Sequence, residues 1–211
     1  MKPVRLGLIA ACGALAATAP AFAQDIKALP GAPQNSQNAQ TTTPAAAPAD
    51  PFAAIPAAKP ADVASVDAIV TALYDVISGD AGVKRDWNRF RSLFYPGARM
   101  IPTGKNAQTG RVSARVASPE AYIKANQAFL EGEGFHEREI HRHADAYGNI
   151  VQVFSSYEAR RKLDDEKPFV RGINSIQLLN DGKRWWVMTV AWSPETPDHP
   201  LTKDYAGKPA D

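Results

Sequence analysis

Three residues that can bind a metal ion alternate along one predicted strand, in the order Glu139, His141 and His143. Side chains two residues apart on a strand point to the same face, so all three would project together. Two imidazoles and one carboxylate form a ligand set that suits zinc. Alternating charged residues are also typical of a solvated face or a polar dimer interface. We therefore predict no metal site and keep these three residues as the alternative.

The same strand belongs to a predicted hairpin whose turn is Gly148-Asn149. A two-residue turn fixes which residues face each other across the two strands. Arg142 then faces Ser155, and Ile140 faces Tyr157, on the more apolar of the two faces, which we place inward. The opposite face carries a mainly charged and polar set: Glu137, Glu139, His141, His143, Ser156, Glu158 and Arg160.

A mostly apolar pocket with a few converging polar groups is the usual form of a small-molecule site. Tyr157 could act there as an acid, although a buried tyrosine is more commonly a core residue with a satisfied hydroxyl. Asp86 could act as a base, although its place before a short predicted helix also suits a helix cap. We expect the ligand to be a small hydrophobic or amphipathic molecule. The predicted ligand-binding residues are Tyr74, Trp87, Phe90, Arg142, Ser155, Tyr157, Asn174 and Thr189.

The last long apolar stretch contains Asp181-Gly182, a dipeptide that strongly indicates a hairpin turn. With these two residues as the loop, Asn174 faces Thr189 and Ile176 faces Val187. Both faces of this hairpin are largely apolar, so both must be covered. We predict that helices cover one face and that a second copy of the chain covers the other, giving a homodimer. The predicted interface residues are Trp186, Met188, Val190 and Trp192.

Helical spacing of apolar residues predicts a first helix over residues 63–77, capped by Asp62 or Ser65. Asp86 begins a second, short helix, and Ser118-Pro119-Glu120 has the residue types that begin a third. Two short strands lie between the second and third helices, and four long antiparallel strands follow the third. Segregation of helices and strands in this way predicts an α+β fold with helices on one face of an antiparallel sheet.

Residues 1–23 have the features of a secretory signal peptide: two basic residues, an apolar run, and Ala21-Phe22-Ala23 as a cleavage site. The apolar run is too short for a stable membrane span. The alternative is a lipoprotein whose lipid is attached to Cys12. We expect cleavage after Ala23, a periplasmic or secreted mature chain, and no stable membrane insertion.

Residues 24–61 are rich in Ala, Pro, Gln and Thr, and this composition predicts a disordered linker. A docking role for Phe52 and Ile55 is the alternative for part of this segment. The folded domain is predicted over residues 62–196, and residues 197–211 form a polar C-terminal tail.

Charge and cysteine content exclude several kinds of partner. The chain has 24 Lys and Arg residues and 22 Asp and Glu residues, and removal of the leader takes away two of the basic ones. The mature chain is then formally neutral, which argues against nucleic acid as a partner. Cys12 is the only cysteine, so the mature chain has no disulfide and no thiolate ligand. We predict no cofactor.

Element order and aromatic placement resemble those of the nuclear-transport-factor-2-like superfamily, in its bacterial secreted branch. The resemblance spans about residues 62–195, without one diagnostic catalytic motif. It rests on four stretches: DWNRFRSLFYPGARM, GFHEREIHR, GNIVQVFSSYEARR and RGINSIQLLNDGKRWWVMTVAW. It implies a strongly bent sheet wrapped around helices, like a cone with a pocket at its mouth. Ketosteroid isomerase, polyketide cyclases and many non-enzymes share this fold, so it leaves the function open.

Three functions are compatible with these patterns. The first is an exported module that binds a small apolar ligand without chemistry. The second is a cofactor-free isomerase, dehydratase or cyclase that uses an acid or base in the pocket. The third is a dimeric interaction module. A buried Asp, Glu or His beside Tyr157 would favour the second.

Overall fold

The computed structural model describes residues 50–106 and 108–207. The predicted signal peptide, the linker as far as residue 49, and the last four residues of the tail lie outside this part of the chain. Within the described residues, no helix combines the length and the apolar character that crossing a membrane requires.

Three helices and six strands follow a short 3-10 turn at Pro60–Asp62. Their bounds are α1 (Val66–Ile77), α2 (Trp87–Ser92), β1 (Phe94–Lys105), β2 (Val112–Ala114), α3 (Pro119–Glu133), β3 (His136–Tyr147), β4 (Ile150–Arg160), β5 (Val170–Asn180) and β6 (Trp185–Pro194).

The six strands form one curved, unclosed sheet in the order β2-β1-β6-β5-β4-β3. Neighbouring strands are antiparallel except for β1 and β6, which pair in parallel. The helices pack against the sheet, and their buried residues share one core with the strands. The predicted α+β architecture, a bent sheet around helices, is confirmed.

The predicted helix caps are in place. Ser65, Asp86 and Ser118 each accept a hydrogen bond from the backbone N–H three residues on, at 3.0, 2.9 and 3.1 Å. Such a bond satisfies one of the N–H groups that the first turn of a helix leaves free. Asp62, the alternative cap of α1, instead accepts two hydrogen bonds from the Arg89 guanidinium.

A β-bulge in β3 changes the face on which its first residues lie. The predicted Gly148-Asn149 turn is confirmed, and the predicted pairing holds as far as His141 opposite Ser156. Beyond that point Ile140 is left unpaired, so that Glu139, and not Ile140, faces Tyr157. An extra residue in one strand reverses the alternation that follows it. The prediction that Glu137 and Glu139 face away from the helices is therefore wrong.

The last hairpin also differs from its prediction. Asn180 faces Trp185, so its loop has four residues, 181–184, and not two. The side chain of Asp181 holds this wider loop by accepting hydrogen bonds from the N–H groups of Lys183 and Arg184 at 2.8 and 2.9 Å. Asp and Asn side chains often form such local turns. The predicted register of this hairpin is wrong from the loop onward.

A second bulge in this hairpin leaves Met188 unpaired and divides the predicted dimer surface. Val190 and Trp192 face Ile176 and Asn174 on the side of the helices, whereas Trp186 lies on the other side, where its ring meets Tyr95. The prediction that Trp186, Met188, Val190 and Trp192 share one exposed face is wrong.

Both ends of the described chain contact the domain. The ring of Phe52, a residue of the predicted linker, lies 5.3 Å from Tyr95 and 5.6 Å from Trp186. The ring of Tyr205, in the predicted polar tail, lies 5.7 Å from His141 and 5.4 Å from Phe154. The packed part of the chain thus extends beyond residues 62–196 on both sides.

Candidate functional site

A cavity of about 300 Å³ lies between the helices and the inner face of the sheet. Its volume is at the lower end of the range for small-molecule sites. Most of its lining is apolar, and a few polar groups interrupt it. The lining residues are Leu73, Tyr74, Ile77, Phe90, Met100, Thr103, Tyr122, Asn126, Phe129, Leu130, Phe135, Glu137, Tyr157, Val170, Asn174, Ile176, Val190, Trp192 and Pro194.

Glu137 is the acidic residue of this lining. It stands near the start of β3, where the bulge turns its side chain toward the helices. Asn174 of β5 donates a hydrogen bond from Nδ2 to Glu137 Oε1 at 3.3 Å. Burial raises the pKa of Glu137 to about 7, and the hydrogen bond from Asn174 acts in the opposite direction. A carboxyl group of this kind can both take and return a proton near neutral pH.

Two tyrosine hydroxyls share the cavity with Glu137. Burial and the nearby Glu137 charge raise the pKa of both Tyr122 and Tyr157, so both hydroxyls keep their protons at neutral pH. Within residues 50–106 and 108–207, neither hydroxyl has a hydrogen-bond partner. Both can therefore donate to a molecule in the cavity.

Gly172 makes room for the ring of Tyr157. The two residues face each other across β4 and β5. A Cβ atom at position 172 would stand 2.6 Å from the Tyr157 hydroxyl oxygen and 2.8 Å from Cζ, closer than such contacts occur in proteins. The absence of a side chain at Gly172 is what lets the ring of Tyr157 lie over the neighbouring strand.

A series of buried hydrogen bonds runs from Asn174 away from the cavity. Asn174 Nδ2 donates to the Tyr74 hydroxyl at 3.1 Å, and that hydroxyl is 2.6 Å from Ser155 Oγ. Ser155 Oγ in turn donates to Glu139 Oε1. We call Asn174, Tyr74, Ser155 and Glu139 the buried polar line. It connects the cavity to the ion pair that Glu139 forms with Arg142.

Some of the predicted ligand-binding residues come together in the cavity. Tyr74, Phe90, Tyr157 and Asn174 all line it. Ser155 stands behind Tyr74 in the buried polar line, so the inward face of β4 is as predicted.

Three other predicted residues lie elsewhere. Arg142 is at the edge of the fold, where it pairs with Glu139 and Asp67. Trp87 packs against Phe90 and donates from Nε1 to a carboxylate of α3 at 2.8 Å. Thr189 faces Gln177 on the opposite side of the sheet, because the bulge at Met188 reverses the alternation there. Placing Thr189 in the pocket is therefore wrong.

The weaker chemical candidates are also separated. Asp86 is an exposed helix cap and does not line the cavity, so the structure does not place it as a base there. The bulge moves Glu139 to the inner face, away from His141 and His143, so the proposed three-ligand strand does not exist. Over the described part of the chain, no three His, Cys, Asp or Glu side chains lie close enough to hold a metal ion.

Glu137 and Tyr122 line the cavity, although the sequence patterns did not predict either of them there. No local pattern marks the bulge at Ile140, so regular alternation excluded Glu137 from the inner face. Tyr122 did leave a signal, because it precedes Phe129 by two helical turns on α3, and both line the cavity. Tracing the inner stripe of α3 would have identified it.

No protein-family model matches the chain, and no curated protein matches its sequence. Among solved structures, the chain is similar to an NTF-2-like protein of unknown function from Silicibacter pomeroyi at 14% identity, covering 63% of this chain and 94% of that one, with a TM-score of 0.42.

A cystatin-like-fold protein of unknown function from Nostoc punctiforme is 10% identical, covers 65% and 92% of the two chains, and has a TM-score of 0.47. A putative ketosteroid isomerase from Shewanella frigidimarina is 16% identical, covers 59% and 91%, and has a TM-score of 0.40. These likenesses concern the fold alone. The curved sheet around helices, with a cavity between them, has the architecture that the resemblance to the nuclear-transport-factor-2-like superfamily implies.

Proposed function

We propose that this domain is a cofactor-free acid–base enzyme that moves a proton between two carbon atoms of a small, largely apolar carbonyl compound. The observation that carries the proposal is the carboxyl group of Glu137, with a pKa near 7, in an apolar cavity that also contains two tyrosine hydroxyls without a hydrogen-bond partner among the described residues. A base, two oxyanion donors and an apolar enclosure are the parts that such an isomerisation requires.

Glu137 is the proposed base. The one hydrogen bond of its carboxyl group among the described residues comes from the Asn174 amide, and the other residues that line the cavity are neutral. Without a cation to hold it ionised, the carboxylate is more basic than an exposed glutamate, and its conjugate acid is a useful donor at the same pH. One side chain can therefore remove a proton and return it.

Tyr122 and Tyr157 are the proposed oxyanion donors. In the proposed step, the Glu137 carboxylate takes a proton from the carbon next to a carbonyl group. The electron pair of that C–H bond forms the C=C bond of an enolate, and the negative charge moves to oxygen, where the tyrosine hydroxyls donate to it. Protonated Glu137 then returns the proton to another carbon of the conjugated system. No electron acceptor is needed.

The test is hydrogen exchange at carbon. We expect the purified domain in D₂O to catalyse exchange or double-bond migration in β,γ-unsaturated cyclic ketones, followed by proton NMR. Glu137→Gln should slow the reaction by about 100-fold or more, as loss of a general base does. Tyr157→Phe should slow it by about 100-fold, as loss of one oxyanion donor does.

Exposed Glu166 supplies the matched control. Glu166→Gln makes the same chemical change outside the cavity and should leave the rate unchanged. The rate of the unaltered protein should rise with pH through about 7, as Glu137 ionises. A rate that is equal in Glu137→Gln and in the unaltered protein would contradict the proposal.

Ligand binding without chemistry is the second candidate, and the mainly apolar lining favours it. In that case an apolar probe would bind, Glu137→Gln would leave its affinity unchanged, and no exchange at carbon would occur.

We place the protein in the periplasm or outside the cell, on the signal-like pattern of residues 1–23. Sequencing of the mature N-terminus would find Gln24 first; a lipid-modified Cys12 would contradict this.

Homodimerisation also stays a proposal, and its surface cannot be the one predicted from the sequence. The outer side of β4 to β6 is the remaining candidate, because strands that are covered by helices on one side leave the other side for a partner. Thr189 points to this side, facing Gln177. Analytical ultracentrifugation at micromolar concentration tests it: a monomer would refute the dimer, and a dimer that persists in Thr189→Arg would place the interface elsewhere.

A further inference from the structure

The buried polar line ends at an ion pair that cannot reverse its hydrogen bonds. Arg142 donates from Nε to Oε1 and Oε2 of Glu139 at 2.9 and 3.1 Å, and from Nη2 to Oε2 at 2.6 Å. A guanidinium only donates and a carboxylate only accepts. The hydroxyl of Ser155, which also contacts Glu139, must therefore be the donor in that contact.

This constraint passes inward along the line. A hydroxyl group has a single proton, so Ser155, having donated to Glu139, can only accept from the Tyr74 hydroxyl 2.6 Å away. Tyr74 has then used its own proton, and its oxygen can only accept. The side chain that meets it from β5 must present a donor, so Asn174 turns its NH₂ group, and not its carbonyl, toward Tyr74 at 3.1 Å.

The same nitrogen of Asn174 lies 3.3 Å from Glu137 Oε1. The orientation of an asparagine amide is ordinarily assigned from its partners. Here one partner fixes it, and the other partner is the carboxyl group in the cavity. Glu137 consequently faces an N–H donor, which favours its ionised form, and does not face a carbonyl oxygen, which would favour its protonated form.

We propose that the Arg142–Glu139 ion pair is a remote positioning device, which acts through Ser155 and Tyr74 to hold the Asn174 amide N–H against Glu137. Its catalytic meaning rests on the proposed function, because only a reacting carboxyl group gains from being held in one ionisation state and one orientation. Asn174, Tyr74, Ser155 and Glu139 are positioning residues: none of them needs to exchange a proton with the substrate.

The groups that face Glu137 leave the amide as the adjustable one. Tyr74 comes from α1, Tyr122 from α3 and Tyr157 from β4, and all three hydroxyls are neutral because burial raises the pKa of each. In the described part of the chain, no cation pairs with Glu137. A reversal of the Asn174 amide would therefore act on this carboxyl group without compensation.

The test compares two neighbouring serines. Ser155 and Ser156 are both fully buried and adjacent on β4, but Ser156 points to the other face and bonds the backbone carbonyl of His141. Ser155→Ala frees the Tyr74 proton, so the Asn174 amide can turn its carbonyl to Glu137. We expect the pKa of Glu137, followed by ¹³C NMR of its carboxyl carbon in the full chain, to rise from about 7 to about 8. Ser156→Ala should leave it unchanged.

A second pair of variants separates orientation from charge. Glu139→Leu removes a negative charge, and the loss of that charge by itself can only lower the pKa of Glu137 or leave it as it is. If Glu139 sets the amide orientation, the pKa rises instead. Glu195→Leu is the matched control, because Glu195 makes the same kind of ion pair with Arg171 outside the line.

An unchanged or lowered pKa of Glu137 in both Ser155→Ala and Glu139→Leu would overturn the proposal. Far-UV circular dichroism identifies any variant that does not fold. Tyr74→Phe, which keeps the ring, then takes the place of that variant, and it too should raise the pKa of Glu137. The readout needs no substrate. A raised pKa of Glu137 in the positioning variants, together with an undiminished rate of exchange at carbon in Glu137→Gln, would leave this inference standing and refute the proposed function.

Discussion

Glu137 and Glu158 are two part-buried or buried glutamates on neighbouring strands, and they differ in what surrounds them. Glu137 faces the cavity, where burial raises its pKa to about 7. Glu158 is on the other face of the sheet, where burial alone would raise its pKa, but hydrogen bonds from Arg160 and Arg138 outweigh burial and lower it. Arg138 lies directly after Glu137 in the chain and faces Glu158 across the strands.

The difference shows what makes a carboxyl group available for chemistry in this sheet. Burial is common to both residues, and the arginine neighbours are not. A carboxylate held between two guanidinium groups is a structural anchor, whereas one whose nearest polar neighbour is an amide keeps a proton equilibrium near neutral pH. The alternation of a strand separates the two environments by one residue.

The largest expected effect is on the pH dependence of stability. The pKa of Glu137 is raised from 4.5 in the unfolded chain to about 7 in the fold, so the unfolded chain gives up this proton first. The free energy of unfolding should therefore fall by about 3 kcal/mol between pH 4 and pH 8 through this group alone. Glu137→Gln should lose that fall, measured by urea unfolding at both pH values. Identical pH profiles for the two proteins would contradict the comparison.

Loss of the Glu158 carboxylate should have a smaller effect on the unfolding free energy, and its dependence on pH should have the opposite sign. Glu158→Gln leaves Arg160 without its charged partner, and at pH 7 we expect a loss of about 2 kcal/mol of unfolding free energy. Because the folded pKa of Glu158 is lowered, its contribution is present above the unfolded value and is lost as the pH falls through the folded one. Urea unfolding at pH 7 and pH 3 should show the difference shrinking. Equal losses at both would count against this account.

The smallest effect distinguishes the two arginines. The side chain of Arg160 is 16% exposed and that of Arg138 is 65% exposed, although both pair with Glu158. Exposed ion pairs contribute little, because water screens them and ordering costs entropy. Arg160→Gln should reduce the unfolding free energy by about 1 kcal/mol and Arg138→Gln by less than about 0.5 kcal/mol. The reverse order, in thermal or urea unfolding, would show that exposure does not govern these pairs.

Most of the fold could be predicted from the sequence, because its signals are local. The helix caps Ser65 and Ser118, the apolar stripe of α1 and the Gly148-Asn149 turn each determine their own element within a few residues. The fold class then follows from the order of the elements. These predictions concern existence and sequence order, which short-range chemistry determines.

The site was less predictable because it depends on register over long distances. Two bulges, at Ile140 and Met188, each reverse the alternation of a strand, and no residue type in the sequence marks either one. Tyr74, Phe90, Tyr157 and Asn174 were still placed correctly in the cavity. Glu137 was not, since its orientation is decided by how β3 fits β4 after the bulge. The register of the last hairpin was predicted wrongly for a similar reason, because the loop that begins at Asp181 is wider than a two-residue turn.

The unpaired Ile140 has a consequence for how sequences of this kind should be aligned. It acts as an inserted residue inside a strand: without it, His141 would follow Glu139 directly and the pairing of Glu137 with Ala159 would need no irregularity. An alignment method that forbids gaps within strands would match Arg138, and not Glu137, to the cavity-facing column of a relative whose strand is regular. Deletion of Ile140 should therefore leave the same residues of β3 facing the cavity.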